Sequence, residues 1–95
     1  MENKKYYVYM LLCSDQTFYT GTSNNVEKRV ATHNAGKGAK YTKIRRPVQL
    51  MYQEELPDKS QALKREIAIK KLSRSQKVTL LKSHGIIWRD YLISH

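Results

Sequence analysis

The stretch Lys5-Tyr6-Tyr7-Val8-Tyr9-Met10-Leu11-Leu12-Cys13, followed by Ser14-Asp15-Gln16 and Thr17-Phe18-Tyr19-Thr20-Gly21, decides how the fold begins. Aromatic, β-branched and apolar residues fill positions 5 to 13, the pattern of a strand covered on both faces for much of its length. Ser14-Asp15-Gln16 supplies turn chemistry and Thr17 to Gly21 reads as a second strand, so the segment predicts a β-hairpin.

Working outward, Thr22-Ser23-Asn24-Asn25 is a cluster of helix-capping residues before a first helix over Val26 to Ala35, with Gly36 at the C′ position. Pro47 precedes a third strand over Val48 to Glu54, and Leu56-Pro57-Asp58-Lys59 is a break. A second helix is expected from a Ser60 N-cap to about Leu72. Ser73 or Ser75 caps a third through about Ser83, with Gly85 beyond its end. The tail from Ile86 to Ile93, carrying Trp88 and Tyr91, reads either as a short packed segment or as an interface.

Ninety-five residues make one small domain, with its core over about residues 6 to 81 and a tail over 86 to 95. The net charge of +10 is concentrated: seven bases and no acid lie between Lys28 and Arg46, and eight bases with only Glu66 between Lys59 and Lys82. Such a field attracts polyanions, because each neutralised phosphate releases condensed counterions. Nucleic acid is the leading partner; an anionic membrane surface competes, but the basic helices lack the bulky apolar face that insertion uses. Cys13 is the single cysteine, which excludes an internal disulfide and any cysteine-based metal site built from this chain alone. The start Met1-Glu2-Asn3-Lys4-Lys5 lacks the features of a signal peptide, and no apolar run approaches the roughly 20 residues that span a bilayer. The expectation is a soluble cytoplasmic protein without a membrane partner.

Glu66 is the only acid between Lys59 and Arg89. With Ala62 at zero on a helical wheel, Leu63 falls at about 100°, Ile67 at about 140°, Ile69 at about 340° and Glu66 at about 40°, inside the apolar arc. A carboxylate there is expected to be at least partly buried, and burial costs free energy unless a cation, a metal or donors compensate it. It is therefore either functional or structurally paired with Lys70 at i,i+4.

Tyr7-Val8-Tyr9 and Tyr19-Thr20-Gly21 stand on the two hairpin strands; Arg29 follows Tyr19 by ten residues, His33 follows Arg29 by four, and Glu66 comes on its own helix. This ordered set resembles the GIY-YIG nuclease family, in particular its small stand-alone bacterial members, over Tyr6 to Leu81. Tyr7-Val8-Tyr9 stands where the family has Gly-Ile-Tyr, and Tyr19-Thr20-Gly21 where it has Tyr-Ile-Gly. Two departures are Tyr7 in place of the first glycine, and Val78 near where many members place an asparagine. The resemblance implies an α+β fold, a three-stranded antiparallel sheet flanked by about three helices. It also implies divalent-metal-dependent hydrolysis of a DNA phosphodiester with Mg²⁺ or Mn²⁺.

The residue types suit that chemistry. Phosphodiester hydrolysis needs an activated water, stabilisation of phosphoryl charge and help for the leaving oxygen. Glu66 alone suffices for a Mg²⁺ site, since Mg²⁺ keeps several waters and takes one or two carboxylates. Arg29 offers a planar fork of donors for the scissile phosphate, or else sits on a solvated helix face. Tyr9 and Tyr19 either orient or deprotonate the attacking water or pack in the core; a phenol of pKa about 10 needs nearby help to act as a base. His33, on the Val26 and Val30 side of its helix, either relays a proton or binds phosphate, or is a satisfied half-buried histidine. Gly21 serves close backbone approach or a turn rather than chemistry.

The loop Gly36-Lys37-Gly38-Ala39-Lys40-Tyr41-Thr42-Lys43 combines free amides, lysines and an aromatic, suited to phosphate and to an unpaired base. The alternative is a helix cap and a mobile surface turn. It lacks a Gly-Lys-Ser/Thr ending, so ATP binding is not inferred. Lys37, Lys40, Tyr41, Lys43, Arg45, Arg46 and Lys70 are the expected nucleic-acid contacts, while Lys64, Arg65, Lys71, Arg74 and Lys77 are expected as a solvated basic face. The substrate is expected to be DNA, branched or single-stranded, with any strong sequence specificity supplied by a protein partner or a homo-oligomer. The rivals to an endonuclease are a non-catalytic nucleic-acid-binding protein of the same fold and an interaction module docking through Trp88 and Tyr91.

Overall fold

The computed structural model describes residues 5–92. Strand β1 (Tyr6–Leu12) lies at the centre of a three-stranded antiparallel sheet, with β2 (Phe18–Ser23) on one side and β3 (Gln49–Leu56) on the other. A core packed on each of its two faces explains the unbroken apolar run. Val8, Met10 and Leu12 face one core while Tyr9, Leu11 and Cys13 face the other, all of them buried. The expected hairpin is present, its turn closed by Cys13 N–H donating to the Thr17 carbonyl (2.8 Å) and by Asp15 accepting from Thr17.

Helix α1 (Val26–Asn34) covers the Tyr9 face, capped by Asn25, whose side chain accepts from the Lys28 amide. Its end follows the expected form: Gly36, at φ 80°, takes the left-handed conformation that a side chain resists. The following segment departs from expectation, because Lys40–Lys43 coil into a helical turn, α2, rather than a mobile loop.

The opposite face is covered by α3 (Lys59–Lys70) and α4 (Arg74–Ser83), through Ala62, Ile69 and Leu81. Helix α3 begins two residues earlier than the Ser60 cap expected from sequence. The Asp58 carboxylate accepts from the Gln61 amide and takes the N-cap place. The apolar arc of α3 is also narrower than its pattern suggests: Leu63 is 41% and Ile67 54% exposed, so only the Ala62 and Ile69 stripe is driven into the sheet. Helix α4 starts with a full capping box between Ser73 and Gln76.

The tail resolves in favour of packing. A short 3-10 helix, Trp88–Tyr91, lies against the core; Trp88 meets Phe18 edge-on at 5.8 Å, and Gln49 donates to the Tyr91 carbonyl at 2.6 Å. The Arg74 guanidinium sits 4.1 Å from the Phe18 ring centre and 4.7 Å from that of Trp88. Arg74 is exposed, as expected of a solvated face, and also packs its guanidinium on this aromatic cluster. Arg65 is half-buried and engaged within the protein, its guanidinium donating twice to Glu54, which also accepts from Tyr52. Ile93 lies outside the described residues. No helix in the described residues is long and apolar enough to cross a membrane.

Candidate active site

Strand register places Tyr9 opposite Gly21, and the missing side chain there is what lets the Tyr9 ring lie across β2. A Cβ at Gly21 would stand 2.7 Å from the Tyr9 hydroxyl oxygen and 3.1 Å from Cε2 of Tyr19, closer than such atoms approach. The Tyr9 and Tyr19 rings are 6.4 Å apart, and both meet the His33 ring edge-on, at 6.0 Å and 5.1 Å.

His33 is 0% exposed, and both ring nitrogens are bonded: Nε2 to the Tyr9 hydroxyl at 2.8 Å and Nδ1 to the Thr42 hydroxyl at 2.7 Å. Thr42, also buried, donates in turn to the Ala39 carbonyl at 3.0 Å. Gly38 closes over the imidazole so tightly that a Cβ there would sit 2.9 Å from its Cγ and nearer still to Nδ1. The segment expected to grip phosphate is therefore also the clamp of a buried histidine. Thr42 has no signature in the sequence beyond a hydroxyl near two glycines.

Burial, and then the neighbouring Tyr19 phenol, push the pKa of Tyr9 up to about 12; the Arg29 guanidinium beside its hydroxyl pulls the other way, and the Glu66 carboxylate adds to the rise. Arg29 and Glu66 thus act on the same oxygen from α1 and α3. Burial, and then Arg29, hold the His33 imidazole below its ordinary range, so it is neutral at neutral pH. Arg29 is half-buried, and no carboxylate of the described residues pairs with it. Half-burial and the lack of a carboxylate partner leave its guanidinium donors available to an anion.

Glu66 is partly buried, as its helical phase indicated, and it meets Lys70 at 2.6 Å; its side chain is 17% exposed and that of Lys70 50%. The i,i+4 pair exists, but an ammonium half in water gains little from it, about 0.3–0.5 kcal/mol. The pair leaves the placement of an acid near Tyr9 unexplained. No group of three or more His, Cys, Asp and Glu suited to a metal occurs among the described residues. That donor set does not fit a closed zinc site, whereas one partly exposed carboxylate fits a lightly held Mg²⁺ or Mn²⁺ that keeps its waters.

The expected nucleic-acid residues divide by what they touch. Lys37, Lys40, Tyr41 and Lys43 are exposed on the α1 to α2 side. Arg45 is engaged within the protein, pairing with Asp15 at 2.9 Å, donating to the Tyr41 carbonyl and lying 3.9 Å over the Tyr41 ring. Arg46 donates to the Lys43 and Asn34 carbonyls and packs against Gly36, tying the ends of α1 and α2 together. Lys70 lines a cleft of about 380 Å³ with Tyr19, Tyr41 and Lys77, so Lys77 faces the tyrosines rather than only bulk water. Val78 is half-buried on α4, and Tyr7 borders a separate groove with Asn25 and Val30.

Comparison with known proteins bears on the family and the fold. The model of the GIY-YIG catalytic domain matches residues 5–79. A UPF0213 protein of Lactiplantibacillus plantarum is 56% identical over 85 residues, covering 87% of this chain and 84% of the relative. The UPF0213 protein of Staphylococcus haemolyticus is 58% identical over 78 residues, covering 82% and 95%. Among solved structures, the solution NMR structure of an E. faecalis protein aligns with TM-score 0.61 at 43% identity, covering 100% of this chain and 99% of that one. That of a UPF0213 protein from Bacillus halodurans aligns with TM-score 0.57 at 41% identity, covering 85% and 86%. With the family model matched across most of its length, this chain belongs to the GIY-YIG catalytic domain family.

Proposed function

We propose that the protein is a divalent-metal-dependent endonuclease that hydrolyses DNA phosphodiester bonds. The observation that carries this reading is the convergence on one hydroxyl: Tyr9 is bonded to His33 and acted on by both Arg29 and Glu66. With its pKa near 12 the phenol keeps its proton at neutral pH, so it serves as a base only if that proton can leave as another arrives. The attacking water gives its proton to the Tyr9 oxygen while the Tyr9 proton passes to Nε2 of neutral His33. The water oxygen bonds to phosphorus as the ester P–O bond breaks, and the leaving oxygen takes a proton from solvent water. Arg29 binds the phosphoryl oxygens as charge builds on them, and Tyr19 orients the water. Glu66 would hold the Mg²⁺ or Mn²⁺, which supplies Lewis-acid stabilisation of the phosphate. Exposed Lys37, Lys40 and Lys43 with Tyr41, and Lys70 in the cleft, supply the DNA-binding surface, which favours backbone over base contacts.

The Glu66 to Lys70 pair favours a second reading, a non-catalytic nucleic-acid-binding protein in which the acid only balances a lysine. The two separate in a cleavage assay with Mg²⁺ or Mn²⁺ on single-stranded, duplex and branched DNA, beside a Glu66→Ala control. Metal-dependent cleavage lost in the control supports the enzyme; binding without cleavage on every substrate supports the rival.

A further inference from the structure

A hydroxyl has one proton to give, and Thr42 contacts two groups that compete for it. The Ala39 carbonyl, 3.0 Å away, can only accept. If Thr42 donates there, its contact with Nδ1 at 2.7 Å is satisfied only when the imidazole carries its proton on Nδ1. Nε2 is then a bare lone pair, facing the Tyr9 hydroxyl at 2.8 Å. The opposite tautomer would require Thr42 to donate to Nδ1, which leaves its oxygen 3.0 Å from that of Ala39, already an acceptor from the Thr42 and Lys43 amides, with no proton between the two oxygens.

We infer that Thr42 is a positioning residue that fixes His33 as the Nδ1–H tautomer, leaving Nε2 to receive the Tyr9 proton. The surrounding sequence serves this purpose. Gly36 turns the chain at the end of α1, Gly38 admits the imidazole, and α2 presents Thr42 to Nδ1. The arrangement follows the general logic by which a third group holds a catalytic imidazole in its working tautomer. Its catalytic consequence rests on the proposed function; the tautomer itself does not.

Two measurements test it, and they fail separately. Long-range ¹H–¹⁵N correlation spectra of the ¹⁵N-labelled protein at neutral pH are expected to show His33 with a protonated Nδ1 and an unprotonated Nε2. Thr42→Val is expected to shift the population toward Nε2–H, and Thr42→Ser to restore the wild-type pattern. A wild-type spectrum dominated by Nε2–H overturns the inference, as does a Thr42→Val spectrum unchanged from wild type. The wild-type spectrum decides even if Thr42→Val does not fold. In the cleavage assay Thr42→Val is expected to lower kcat on the order of tenfold or more with DNA affinity unchanged, and Thr42→Ser to recover it. A protein that shows the expected tautomers yet cleaves no DNA refutes the nuclease reading and leaves the role of Thr42 standing.

Discussion

The hydroxyl of Tyr9, on the central strand, lies 2.8 Å from Nε2 of His33, on the helix that covers it, and neither residue is more than 1% exposed. A buried polar pair of this kind is costly to break, because the surviving partner is left without a hydrogen bond. It therefore couples the stability of the domain to the geometry of its candidate site.

Tyr9→Phe keeps the ring and removes the hydroxyl. The expected cost is about 1–3 kcal/mol of stability, read by urea denaturation, from an orphaned Nε2. Cleavage by the variant should fall by about two orders of magnitude or more if the phenol handles the proton. Full activity in a folded Tyr9→Phe protein would remove Tyr9 from the chemistry.

Acidity should act through His33. Its pKa is held below the ordinary 6.5, so the folded state binds this proton less readily than the unfolded chain does. The resulting stability is present above the ordinary value and is lost as pH falls from there through the lowered one. Denaturant midpoints measured from about pH 7.5 to about pH 5 should fall, with a smaller fall in His33→Gln. Equal slopes in the two proteins would show that His33 is not the group responsible.

Three glycines should rank by what surrounds them. Gly21→Ala and Gly38→Ala force a Cβ against Tyr9 and His33, and each is expected to cost about 1–3 kcal/mol as overpacking does. At Gly85 nothing lies within 4 Å, and only its φ of 76° opposes a side chain, a cost of about 1 kcal/mol. Thermal melts of the three variants check the order, and a Gly85→Ala melt as low as the others would contradict it.

DNA binding should be steeply salt-dependent, and the basic residues should not be equivalent. Lys37→Ala and Lys40→Ala are each expected to reduce the salt slope by about one without loss of stability. Arg46→Ala is expected to lower the melting temperature through its lost bonds to the Lys43 and Asn34 carbonyls, at about 1 kcal/mol. Affinity that does not change between low and moderate salt would remove the electrostatic account of binding.

Much of this architecture is legible in local patterns. The apolar run of β1, the capping residues Asn25 and Ser73, and Gly36 and Gly85 past their helix ends each depend on neighbours within a few positions. So does the half-burial of Glu66, which follows from its helical phase. Asp58 and Ser60 are chemically similar caps two residues apart, and sequence does not decide which reaches an amide. Contacts that close over long separations have no local signature. Thr42 becomes meaningful only once α2 lies against His33, and Arg74 only once the tail brings Trp88 to Phe18.

The central claim, that Glu66 serves a metal beside the Tyr9 and His33 pair, is tested most directly by Glu66→Gln, assayed for Mg²⁺-dependent cleavage and for thermal stability in the same preparation. Cleavage is expected to disappear while DNA affinity stays equal or rises slightly, since a negative charge facing phosphate has been removed. Stability should change by less than about 1 kcal/mol, because the Lys70 ammonium left behind is half in water. Persistent metal-dependent cleavage by a folded Glu66→Gln protein would contradict the claim.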